Sequence, residues 1–273
     1  MSATLHKLDE ATRLRVAAPD RLTGVMSDTY WNFAGPFGGY VAALFMRAVM
    51  IDPRRLGPPV AQTVNFCAAA SKGDFEIALK LQRDGKATQH WSMELMQGES
   101  VIATGSLVCA NRRETFSHMT SKIPAVPRPD DVAILPPHAR LPWLDAYEFR
   151  FHEGGPGFGK PRPADDLGSS RTVLWLRDKP DRALDFIALA SLADCFILRL
   201  VQMRGTLVPM ATVTLTTHFH ATDAELQQQG TQLLLGVADA SRFNANFHDQ
   251  TMELWSANGH LLASGIQTVW YKE

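Results

Sequence analysis

The chain has 273 residues, with 27 Lys and Arg against 28 Asp and Glu, a net charge of −1 and 45% hydrophobic residues. That length gives one large or two small domains, and the composition supports a buried core rather than a disordered tail. No basic cluster is present for phosphate backbones, so nucleic-acid binding is not expected. The apolar run Val41 to Ile51 is interrupted by Arg47 and too short to span a bilayer, and the N-terminal residues lack the apolar core of a signal peptide. A cytoplasmic protein is expected. Cys67, Cys109 and Cys195 are far apart and form no CxxC, which indicates neither a disulfide framework nor a thiolate metal site.

In chain order, Ala11 to Trp31 reads as one or more short strands, and an apolar helix follows over Gly39 to Met50. Alternating strands are predicted over Pro59 to Ala69, Asp74 to Arg83, Thr88 to Gln97 and Val101 to Ala110. Arg112 to Pro142 is Pro-rich and aperiodic, and reads as a connection. Further strands are predicted between Ala146 and Trp175, then a long apolar helix from Asp185 to Met203. Four strands close the chain: Ala211 to His220, Thr231 to Ala240, Asp249 to Ser256 and His260 to Tyr271. Asp84-Gly85 and Asn258-Gly259 mark hairpins, since both dipeptides tolerate the positive φ of a tight turn.

The chain repeats itself. Ser-Met-Glu-Leu at 92–95 returns as Thr-Met-Glu-Leu at 251–254, and Ile-Ala-Thr-Gly at 102–105 returns as Leu-Ala-Ser-Gly at 262–265. Met252 follows Met93 by 159 positions and Ala263 follows Ala103 by 160, so the intervening turn carries one insertion. Phe66 and Phe219 are echoed in the same way. A helix followed by antiparallel strands, twice, is an α+β fold in which a sheet wraps a helix, the double hot-dog arrangement. The units are placed at 1–111 and 146–273, joined by a linker at 112–145. Edge-to-edge joining of the two sheets would remove exposed edge strands.

Several motifs carry or exclude chemistry. Gly154 and Gly159-Lys160 have phosphate-loop spacing, but Pro161 stands where a Ser or Thr hydroxyl is required, and the stretch reads as a loop. His218 and His220 share one strand face without a visible third ligand, so no metal site is expected. No G-x-S-x-G occurs. Asp194 is the anomaly. It lies in the apolar stretch that follows Asp185, where a carboxylate must be hydrogen-bonded, protonated, retained for chemistry or able to reach solvent. Thr216 alternates with Thr212, Thr214, His218 and His220 on a face that is either part of a site or a solvated exterior. Gln267 stands on the last strand where the first repeat has Leu107, which fits a site residue or an exposed edge equally.

Taken together, Gly35-Pro36-Phe37-Gly38-Gly39, Leu81-Gln82-Arg83-Asp84-Gly85 and Leu262-Ala263-Ser264-Gly265-Ile266-Gln267 resemble the TesB-like acyl-CoA thioesterase II family over most of the chain. Tyr40, where a Gln is common, and Cys195, where an aromatic is common, depart from it. The resemblance implies a water-activating trio of Asp194, Thr216 and Gln267, with Thr217 the alternative hydroxyl one residue on. It implies substrate contacts at Gly38, Gly39 and Tyr40, an acyl-CoA or acyl-carrier thioester as substrate, no cofactor or metal, and association into a homo-oligomer. A non-catalytic acyl-thioester binding protein would use the same polar floor. A hot-dog enoyl-CoA hydratase ranks lower, because its Gly-Asp-x-Asn-Pro segment with a following His is absent.

Overall fold

The computed structural model describes residues 5–137, 141–156, 161–163 and 165–272. Of the phosphate-loop-like stretch, residues 157–160 lie outside the described residues. The first half runs α1 (Lys7–Ala11), β1 (Arg15–Ala18), β2 (Arg21–Val25), α2 (Gly38–Met50), β3 (Pro59–Phe66), β4 (Asp74–Asp84), β5 (Thr88–Gln97) and β6 (Ser100–Ala110). The second runs β7 (Tyr147–Glu153), β8 (Thr172–Asp178), α3 (Phe186–Leu192), α4 (Arg199–Arg204), β9 (Met210–Phe219), α5 (Asp223–Gln229), β10 (Leu234–Asp239), β11 (Phe243–Asn244), β12 (Phe247–Trp255) and β13 (Leu261–Tyr271).

Apart from β11, which pairs β12, the strands form one antiparallel path in the order β1-β2-β4-β5-β6-β3-β9-β13-β12-β10-β8-β7. The two halves meet at β3 and β9, where Gln62 opposes Thr217 and Val64 opposes Leu215. Alternation decides which face is buried. Trp91, Met93 and Leu95 on β5 and Met252 and Leu254 on β12 point to the inner face, where α2 and α3 lie against each other. This is the expected double hot-dog α+β fold.

The Pro-rich connection has a definite place. Ile123, Val126 and Val132 cover an outer cluster of Val173, Trp175, Leu235, Val237 and Trp255, and Trp175 Nε1 donates to the Pro127 carbonyl at 3.1 Å. Both faces of β8 and β10 are therefore buried, which explains their continuous apolar runs.

Two expectations need correction. The helix predicted from Asp185 to Met203 is broken: α3 stops at Leu192 and α4 starts at Arg199, with residues 193–198 turning between them. The chain tightens to i→i−3 bonds there, from Asp194 N to Ser191 O and from Cys195 N to Leu192 O. An additional helix, α5, precedes the strand expected to begin at Thr231, and its start is marked in the sequence by the Thr222–Glu225 capping box.

One buried charge is left over. Asp178, at the end of β8, is buried with Oδ1 unpartnered, and burial pushes its pKa up to about 7 despite the opposing Arg182. Because the folded state holds this proton more tightly than the unfolded chain, its stabilising contribution is complete below about pH 4 and is lost as pH rises through about 7. Asp178→Asn is expected to raise Tm at pH 8, with a smaller difference at pH 5, measured by thermal unfolding at both pH values.

Candidate active site

Helix α2 begins with a deficit. Its first amides have no intrahelical acceptor, and its N-cap, Phe37, provides no side-chain bond. The missing acceptor comes from the other half of the chain. The Asp194 carboxylate, carried on the turn after α3, faces the Gly39 amide, which favours its charged form. Glycines permit the approach: a Cβ on Gly38 would lie 2.6 Å from Asp194 Oδ2, and one on Gly39 would lie 2.3 Å from the Ser191 carbonyl oxygen. Phe66, at the end of β3, closes the other side of Gly38.

Asp194 is 6% exposed, and burial pushes its pKa up to about 7. The Gly39 amide and the Gln267 side chain both pull it back down by bonding to the charged form. The orientation of Gln267 follows from its other partner. Thr212 Oγ1 donates to Gln267 Oε1 at 2.8 Å, so the amide nitrogen of Gln267 is the end that donates to Asp194. Having given its own hydrogen to Gln267, the Thr212 oxygen presents lone pairs. A carboxylate that titrates near neutrality is thus held by an amide whose other end Thr212 fixes, and such a carboxylate can remove a proton from water.

The structure brings Asp194, Gln267, Gly38 and Gly39 together, and it does not bring Thr216 or Tyr40 to them. Thr216 lies on the outer face, its hydroxyl 3.0 Å from Thr63 Oγ1 across the β3–β9 seam. A bulge brings Thr212 to the inner face in its place. The β9–β13 register passes from Thr214 opposite Thr268 to Thr212 opposite Val269, so Val213 is an extra residue and Thr212 turns to the inner face that Gln267 shares. Thr217 is buried on the inner face opposite Gly265, two residues along the strand from Leu215, which faces Gln267.

Tyr40 points away into the core. Its hydroxyl donates to the Ala11 carbonyl at 3.0 Å, and its ring stacks on Tyr30 with centroids 5.4 Å apart. Residues two apart on a helix do not share a face, which is the signal that separates Tyr40 from Gly38. Cys195, beside Asp194, has its thiol pushed well up by burial and is no thiolate nucleophile. His218 and His220 are exposed, with His220 Nε2 2.8 Å from Ser264 Oγ, and no metal-holding group of three appears among the described residues.

Comparison with known proteins decides the family. The model for the acyl-CoA thioesterase C-terminal domain matches residues 123–271, and that for the N-terminal domain matches residues 27–110. The chain belongs to the acyl-CoA thioesterase family. It is a double hot-dog thioester hydrolase. A hot-dog protein of unknown function from Alicyclobacillus acidocaldarius is 38% identical, covers 98% of this chain and 99% of its own, and superposes with a TM-score of 0.92. An acyl-CoA thioesterase II from Mycobacterium marinum is 18% identical over 97% of this chain and 98% of its own, with a TM-score of 0.73. A tesB protein from Mycobacterium avium subsp. paratuberculosis is 13% identical over 97% and 98%, with a TM-score of 0.77. These last two share the fold. No curated protein matches the chain.

Gly38→Ala is expected to displace the Asp194 carboxylate and lower kcat/KM for thioester hydrolysis by about a hundredfold, the cost of a misplacement near 1 Å. Steady-state kinetics with circular dichroism as a folding control checks it.

Proposed function

We propose that this acyl-CoA thioesterase acts through a water molecule held by Asp194, Thr212 and Gln267, without an acyl-enzyme. The observation that carries this reading is the chain of side chains from Thr212 through Gln267 to Asp194, with Asp194 poised near neutrality at the start of α2. Asp194 accepts the proton of the water as its oxygen adds to the thioester carbon. Gln267 fixes the carboxylate through its amide hydrogen, and Thr212 accepts the second water hydrogen. The Gly38 amide, at the start of the same helix, donates to the carbonyl oxygen as negative charge develops on it. The C–S bond then breaks, and the thiolate leaves with the proton that Asp194 held. Phe66 provides an apolar wall beside the reacting carbon.

Asp194→Asn removes the base and is expected to lower kcat about a thousandfold while the fold is kept, since Asn retains an acceptor for the Gly39 amide. Release of free thiol from acyl-CoA, followed colorimetrically, measures it, and turnover equal to wild type would reject the role. In the wild type, kcat/KM should rise about tenfold per pH unit up to about 7 and level above it, because the base works only when deprotonated.

Thr212→Val is expected to cost about tenfold in kcat, the worth of one positioning hydrogen bond. Thr216→Val should leave kcat near wild type, because its hydroxyl faces Thr63. Equal losses in the two variants would reject the assignment of Thr212.

A further inference from the structure

The inner face of the C-terminal half holds a second group of buried polar side chains that water activation at Asp194 does not use. Arg199, the first residue of α4, is completely shielded from solvent. Its Nε donates to Gln250 Oε1 at 3.0 Å, and its Nη1 donates to Thr172 Oγ1 at 2.7 Å and to the Ser170 carbonyl at 2.9 Å. Nη2 donates to the Ile197 carbonyl, which leaves one of its hydrogens over. All of these partners are neutral, and Arg199 forms no ion pair with any described residue. Asp239 acts on it only at a distance, its Oδ1 being taken by the Ser170 hydroxyl and the Ala240 amide. Burial accordingly pulls the guanidinium down to about 9.

A donor without an acceptor sits beside it. Gln250 is 1% exposed, and its Nε2 has no hydrogen-bond partner among the described residues. Buried charges are ordinarily paired and buried amides satisfied, so this cluster lacks an acceptor that carries negative charge. Its position relates it to the active site. Gln250 and Gln267 are directly opposed on β12 and β13, which sets their side chains on one face with Cα atoms about 5 Å apart. Gln267 holds Asp194, so Gln250 stands directly across the strand pair from the residue that holds the base.

We propose that Arg199 and Gln250 recognise a carboxylate at the far end of a short acyl chain, making ω-carboxyacyl thioesters the substrate class of this enzyme. The inference rests on the assignment of Asp194 as the point of cleavage. The free Nη2 hydrogen and the Gln250 amide hydrogens supply donors for both carboxylate oxygens, and the guanidinium supplies the opposite charge. A hydroxyl or an apolar terminus would leave the buried charge without a counter-charge.

The test compares substrates of equal carbon number. Wild-type kcat/KM is measured for succinyl-CoA against butyryl-CoA and for glutaryl-CoA against pentanoyl-CoA, with 3-hydroxybutyryl-CoA as the uncharged polar control. The carboxylated member of each pair should be favoured at least about tenfold, and Gln250→Met and Arg199→Met should each bring that ratio close to one. Each substitution leaves buried partners of Arg199 or Gln250 unpaired, so circular dichroism confirms that the variants fold before their ratios are compared. The same pairs are titrated calorimetrically into Asp194→Asn, where Kd should show the same preference without turnover. Equal or better use of the apolar partner, a preference for the hydroxyacyl substrate, or a carboxylate preference that survives both substitutions overturns the proposal. Loss of the reading at Asp194 has a different signature: Asp194→Asn would then hydrolyse as fast as wild type, and the binding preference would still decide the role of Arg199 and Gln250.

Discussion

At the start of α2 the two halves meet in one decisive contact, between the Gly39 amide and the Asp194 carboxylate on the turn after α3. A helix start wants a negative charge, and a buried carboxylate wants donors. Each half supplies what the other lacks. The glycine pair follows from this contact, since a side chain at either position would occupy the space the other half needs. Asp194 itself stands on the turn after the break at Leu192. Gln267 and Thr212 complete the arrangement from two adjacent strands.

The architecture was legible because the repeat was. Methionine and glycine landmarks returning 159 to 160 residues later fixed two copies of one unit, and Asp84-Gly85 and Asn258-Gly259 placed the hairpins. Asp194 and Gln267 stood out as polar residues where the pattern or the first copy is apolar. What escaped was anything decided by a distant partner. Nothing local in Ala193-Asp194-Cys195 shows that the helix will stop, and the group that Asp194 meets there, the Gly39 amide, lies more than 150 residues away.

Thr216 illustrates a different limit. Counting by twos along Thr212, Thr214 and Thr216 puts all three hydroxyls on one face, and the count fails at a single extra residue, Val213. β-Bulges leave little imprint in a run of β-branched residues, so no local signal separated Thr212 from its neighbours. The error over Tyr40 was avoidable, since helix geometry alone turns it away from Gly38.

The seam between β3 and β9 has a consequence for how the molecule comes into being. The strand that completes β3 lies about a hundred and fifty positions downstream, as the opposition of Thr63 and Thr216 shows. A ribosome therefore releases the entire first half while β3 still offers a row of free amides and carbonyls, a template for pairing with neighbouring nascent chains. Such non-local closure slows maturation, and synthesis at high density is the condition under which this protein is most prone to clump before it is finished.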